Sequence, residues 1–206
     1  MKFTCSVMVG LVLGGAATIL SAREQPPNTQ QAAEQKAVNL CSSCHGPRGI
    51  STSPEFPVLA AQREAYTIRQ LEAFAKKTRA NKDAHDYMWG IAGQLDEGAI
   101  AGIARYYALQ LPAPGRSERL ALAIKGEEVF EGGAPDRGIP PCAACHGHDA
   151  EGVGEFPRLA GQHAKYIAKQ VGLIQTHARP TAVKHDFIKD LTPEETQAVA
   201  AYVQSK

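Results

Sequence analysis

Two short stretches carry residue types whose spacing can do chemistry: Cys41-Ser42-Ser43-Cys44-His45 and Cys142-Ala143-Ala144-Cys145-His146. Thiols at i and i+3 share one face of a helical turn, a spacing that suits addition to the two vinyl groups of one haem. The histidine directly after the second thiol can then turn its ring toward the iron, and Cys-x-x-Cys-His is the signature of c-type haem attachment. The expected cofactors are two covalently bound haem c groups, attached through Cys41, Cys44, Cys142 and Cys145, with His45 and His146 as iron ligands. Other uses of paired cysteines fit less well. A redox dithiol has no need of the trailing histidine and sits near a βαβ pattern, which this chain lacks. A zinc site pairs two such motifs about 15 to 20 residues apart, whereas these are separated by about a hundred. Disulfides closing three-residue loops would staple little of a fold.

The elements that must position these groups come in duplicate. Phe-Pro-x-Leu-Ala-x-Gln-x-x-x-Tyr-x-x-x-Gln runs from Phe56 to Gln70 and again from Phe156 to Gln170. Arg79 matches Arg179, and His85-Asp86 matches His185-Asp186, at an offset of 100 or 101 until a gap near residue 190. The chain is therefore a tandem duplication. Leu111-Pro112-Ala113-Pro114-Gly115 cannot continue a helix and reads as a stiff linker. The expected division is a first domain over 23–111, a linker over 112–116 and a second domain over 117–206. Each half reads as all-α, with helices near Gln30 to Cys44, Gln62 to Thr78, Glu118 to Phe130 and Gln162 to Thr176. Thr192-Pro193-Glu194-Glu195 is a capping box with proline at the first helical position, so it starts a final helix.

Lys2, an apolar run from Val7 to Leu20, and Ser21-Ala22 read as an export signal over residues 1–22, too short for a membrane span. An uncleaved anchor is the alternative, since Leu20 is large for the third position before the cut. Cleavage after Ala22 leaves four cysteines, equal numbers of acidic and basic side chains, and Met88 as the remaining methionine. With 22 Lys plus Arg against 21 Asp plus Glu in the whole chain, nothing pulls toward nucleic acid. Aromatic residues make up only 6%, so two domains of this size have small cores, which a large flat macrocycle would help to fill.

The chain resembles the dihaem c-type cytochromes of the cytochrome c4 family, from about residue 30 to its end. The resemblance rests on both Cys-x-x-Cys-His-Gly motifs, both Phe-Pro-x-Leu-Ala-x-Gln segments, and the stretch from Met88 to Leu95 leading into a helix. It implies two cytochrome c folds related by a pseudo-twofold, each wrapped around one haem. It also implies a periplasmic electron-transfer carrier, not an enzyme, working toward a terminal oxidase or another respiratory acceptor. Expected partners are redox proteins (a quinol-oxidising complex, a dehydrogenase or a terminal oxidase), with peripheral membrane contact and no nucleic acid. Two rival roles are the haem subunit of a periplasmic dehydrogenase complex and a dihaem enzyme with an open distal site on the second haem.

Met88, seven residues before Leu95, stands where the family's axial methionine does, with His85 as its competitor. Thioether ligation favours ferrous iron and raises the potential. The second repeat has no methionine to offer. Aligning Leu95 with Leu191 puts Lys184 at the ligand position, beside His185. His185 is the expected sixth ligand, because neutral imidazole binds iron readily whereas the lysine must first lose its proton; His177, Lys184 or no ligand are the alternatives. Unequal ligands predict unequal potentials, with the carboxy-terminal haem reduced last. An offset of about 100 mV would favour the Met-ligated haem by roughly 50-fold, at about 59 mV per decade. Pro57 and Pro157 are candidates to orient the proximal histidines through their carbonyls, against a plain turn role. Arg79 and Arg179 are candidates for haem propionates, against a surface role. Tyr66 and Tyr166 read as core, and His148 and His163 as surface residues.

Overall fold

The computed structural model describes residues 29–181 and 185–206. The expected signal over 1–22 and the candidate ligand Lys184 lie outside the described residues. Each half is a set of short helices. α1 (Thr29–Lys36) passes through a π turn (Ala37–Cys41) into α2 (Ser42–His45), so a single rod delivers the first cysteine motif, as expected. α3 (Glu64–Ala75) follows a long loop, a second π turn (Ala84–Met88) leads into α4 (Trp89–Ala92), and α5 (Glu97–Ala108) closes the half. Asp96 caps α5 by accepting from the Ala99 amide.

The second half repeats this plan in α6 (Leu120–Gly132), α7 (Ala143–His146), α8 (Ala164–Gln175) and α9 (Pro193–Ser205). The expected capping box is present, Thr192 and Glu195 bonding reciprocally across the start of α9. Unlike α1, α6 does not run into its cysteine motif. Gly133, at φ +68, ends it, and Ala134 pairs back with Ile139 before the motif begins. That short bridge is the one departure from helix and loop among the described residues. α3 and α8 start at Glu64 and Ala164 rather than at Gln62 and Gln162, because those two glutamines are used elsewhere.

The cores sit where the first and last helices of each half cross. Ala33 and Ala37 meet Ile100, Ile103 and Tyr107 in the first half, while Phe130 meets Val199, Tyr202 and Val203 in the second. At both crossings a glycine allows close approach. A Cβ on Gly102 of α5 would lie 2.3 Å from the Ala33 methyl of α1. A Cβ on Gly126 of α6 would lie 2.0 Å from the Ala198 carbonyl oxygen of α9. The glycine is thus on the last helix in one half and on the first helix in the other. Between the halves, Ala113 packs on Val58 and Ala60, and the Arg116 amide donates to Gln204 O at 2.8 Å. Among the described residues no helix is long and apolar enough to cross a membrane.

Candidate haem-binding sites

α2 and α7 end at His45 and His146 because Gly46 and Gly147, at φ +76 and +79, turn the chain away. Each imidazole then meets a carbonyl from the repeated Phe-Pro segment. His45 Nδ1 lies 2.9 Å from Pro57 O, and His146 Nδ1 lies 2.9 Å from Pro157 O. A carbonyl can only accept, so Nδ1 carries the proton and Nε2 keeps the lone pair a metal needs. Phe56 and Phe156 stand edge-on to these rings, at 6.2 and 6.1 Å between centroids. Burial keeps both imidazoles below the usual histidine pKa, with the proline carbonyls opposing it. The orienting role weighed for Pro57 and Pro157 is the one the geometry bears out. Cys41, Cys44, Cys142 and Cys145 are joined in no disulfide, so all four sulfurs are left for attachment.

On the opposite side the two halves diverge. Met88 is half-buried, packed against the clusters holding Leu71 and Phe74, the first of which Leu95 also packs against. Its competitor His85 is turned outward, with Nδ1 2.9 Å from Asp86 and its ring edge-on to Trp89 at 4.9 Å. In the second half Ile188, three residues after His185 as Met88 is three after His85, is buried with Leu191 against Val171 and Ile174. It therefore fills the station of Met88, an equivalence that counting from the His-Asp pair rather than from Leu191 would have exposed. His185 lines a cavity of about 350 Å³ with Ile174, His177, Arg179 and Thr181. His177 is exposed at the end of α8. His148 is exposed and paired with Glu131 at 2.7 Å, as a surface residue should be.

His163 corrects the expectation that it lies at the surface. It is only 4% exposed, wedged between the halves. Its Nε2–H donates to Ser51 O at 3.1 Å, and its Nδ1 accepts from Arg116 at 3.0 Å. Arg79 and Arg179 are likewise buried, so the surface reading of them fails. Arg79 donates to Gln70 at 2.7 Å and to Gln170 at 2.9 Å. Arg179 donates to Gln170 at 2.8 Å and to the Tyr66 hydroxyl at 2.6 Å. Burial alone would raise the Tyr166 phenol, but the two arginines outweigh it and hold its pKa below the usual value.

These surroundings fit the cofactor that the cysteine motifs imply. Two guanidinium groups buried among amides and phenols need counter-charge. Among the described residues the Nε atoms of Arg158 and Arg179 are buried without a hydrogen-bond partner. Carboxylate-bearing haem edges match both needs. Bound at these sites, haem c supplies a reversible one-electron iron couple.

Two covalent attachment motifs, two carbonyl-oriented histidines and an all-helical duplicated scaffold define a dihaem c-type cytochrome. Residues 123–206 match the family described as Cytochrome c. Cytochrome c-552 of Acidithiobacillus ferridurans is 34% identical over 95% of this chain and 83% of its own. Cytochrome c4 of Thiocapsa roseopersicina is 37% identical over 84% of this chain and 91% of its own. The structure of the cytochrome c4 of Acidithiobacillus ferrooxidans superposes with a TM-score of 0.76 at 35% identity, over 81% of this chain and 98% of that one. A thiosulfate dehydrogenase electron acceptor of Thiomonas intermedia is 34% identical over 87% of this chain and 84% of its own. The chain belongs to the cytochrome c4 family, and it is an electron carrier with two covalently bound haem c groups.

Proposed function

We propose that this protein is a periplasmic shuttle whose two irons differ in their axial ligands, His45 with Met88 in the first domain and His146 with His185 in the second. The domains are taken as 23–111 and 117–206, joined by 112–116, after removal of a signal over 1–22. The observation that carries the unequal pair is the contrast between the distal sides. Met88 is half-buried in its core, while its counterpart Ile188 has no donor atom and His185 borders a cavity shared with Arg179. Thioether ligation raises a haem potential and imidazole lowers it, so the first electron enters the amino-terminal domain. The residues named bind and orient, and no substrate transformation is assigned to them.

The partners are redox proteins. A dehydrogenase as donor is favoured over the other classes by the kinship to a thiosulfate dehydrogenase electron acceptor; a terminal oxidase is the natural sink. An electron paramagnetic resonance spectrum of the ferric protein tests the assignment. One His/Met and one His/His low-spin signal in equal amounts are expected. A second iron with any low-spin signal other than His/His would overturn it, as would a high-spin second iron that binds carbon monoxide when reduced, which would open the way to catalysis there.

A further inference from the structure

The repeated Phe-Pro-x-Leu-Ala-x-Gln segment does more than orient its own histidine. Its terminal glutamine reaches across the pseudo-twofold and holds the matching segment of the other domain. Gln162 Oε1 accepts from the Val58 amide at 2.9 Å, and its Nε2 donates to Val58 O at 2.9 Å. Reciprocally, Gln62 Oε1 accepts from the Arg158 amide at 2.8 Å, and its Nε2 donates to Arg158 O at 2.9 Å. Both glutamines are buried, 7% and 5% exposed. Each is aimed by a residue at positive φ just before it, Ala61 at +55 and Gly161 at +73, and each also accepts from its own following amide.

The Val58 N–H and the Pro57 C=O belong to one peptide group. So Gln162 Oε1 holds one end of the same amide whose other end accepts from His45 Nδ1. The Arg158 N–H and Pro157 C=O do the same between Gln62 and His146. Amide resonance couples the two ends of a peptide group. An acceptor placed on the N–H makes the C=O a stronger acceptor, because linked hydrogen bonds polarise one another. A stronger Nδ1–H···O bond makes the imidazole a more basic iron ligand, which favours the ferric state.

Resting on the dihaem reading above, we propose that Gln62 and Gln162 are positioning residues that set the potential of the opposite domain's iron, through one peptide group and the proximal histidine. The effect is crossed: a residue of the second domain tunes the first iron, and a residue of the first domain tunes the second.

The test is a redox titration of the full chain followed by electron paramagnetic resonance, so that each iron is read separately. Wild-type protein is first shown to carry two haems by the pyridine haemochrome assay. Gln162→Leu is expected to raise the ferrous-to-ferric ratio of the first iron about threefold at fixed ambient potential, about 30 mV at 59 mV per decade, and to leave the second within 1.5-fold. Gln62→Leu is expected to do the reverse. Gln162→Glu keeps the acceptor for the Val58 amide, so the first iron stays at or below its wild-type potential. Lys165→Gln, which removes the exposed inter-domain pair with Glu55, is expected to move both irons alike and by less than 1.5-fold. Shifts on the variant's own side, equal shifts on both irons, or a rise with Gln162→Glu would overturn the inference while leaving the dihaem reading intact. Fewer than two haems in the wild-type protein would overturn both.

Discussion

Replacing Gly126 by alanine isolates what the helix crossing contributes to the second domain. Within a helix the exchange by itself stabilises by about 0.5–1 kcal/mol, since glycine loses more backbone freedom on folding. At Gly126 the new methyl would stand 2.0 Å from Ala198 O, 2.4 Å from Ala198 C and 2.9 Å from the Tyr202 Cβ. Ordinary carbon contacts begin near about 3.5 Å, and two of these three neighbours are backbone atoms that cannot rotate aside. α9 must therefore move by more than an ångström, an overpacking penalty of about 3 kcal/mol at the upper end of the usual range. The net loss is about 2 kcal/mol, and at about 4–8 °C per kcal/mol for a domain of this size the midpoint falls by about 8–16 °C. Gly172→Ala in α8 is the matched control: nothing lies within 4 Å of its added Cβ. The first domain already carries Glu72 at the equivalent position, 44% exposed. This variant should gain up to about 1 kcal/mol. Thermal and denaturant melts of both variants, followed by helical circular dichroism, provide the assay. A Gly126→Ala midpoint equal to or above the parent's would refute the reasoning.

Met88→Ala should abolish the sulfur-to-iron charge-transfer band and lower the first iron's potential by about 100 mV, a roughly 50-fold change at about 59 mV per decade; the redox titration reads it directly. Glu195, held down to about 2 by the Arg137 hydrogen bond, gives stability that is present above pH 4.5 and lost as pH falls toward 2. Since the pair is partly exposed, 32% and 22%, that contribution is about 1 kcal/mol; Arg137→Gln should flatten the acid limb of denaturant melts. His163, whose pKa is lowered first by burial and then by Arg116, binds its proton more readily when unfolded. Its contribution is therefore complete above pH 6.5 and declines below that value. In His163→Gln that part of the pH dependence of inter-domain stability should vanish, as urea melts at pH 7.5 and 5.5 would reveal.

The attachment chemistry, the duplication and the helices were legible because each is written locally: adjacent thiols and histidine, a repeated string, a capping box. The prolines' orienting role was half legible, since a carbonyl has no sequence signature but the Phe-Pro repeat kept a fixed distance from each histidine. What the strings could not reveal is which face of one repeat meets the other. Gln62, Gln162, Arg79, Arg179 and His163 are polar, and polar residues are mostly exposed. Only the pseudo-twofold contact, between residues about a hundred apart in sequence, turns them inward. The second haem's distal side stayed ambiguous for a different reason. The deletion near residue 190 allows two alignments, and the burial of Ile188 in the cluster that packs on Val171 and Ile174 favours the one pairing it with Met88.

The traded glycine and alanine at the two helix crossings bear on how a duplicated chain avoids folding onto the wrong half. Adjacent copies of one fold can exchange equivalent elements and trap misassembled species. Here α1 docked on α9 in place of α6 would bring the Ala33 methyl to the Ala198 carbonyl, where the native crossing has room only for Gly126. The complementary mistake, α6 on α5, would set Gly126 against Gly102 and leave a gap. Each amino-terminal helix thus carries a steric key cut for its own lock, and the identity of the halves is enforced at the point where they otherwise look most alike.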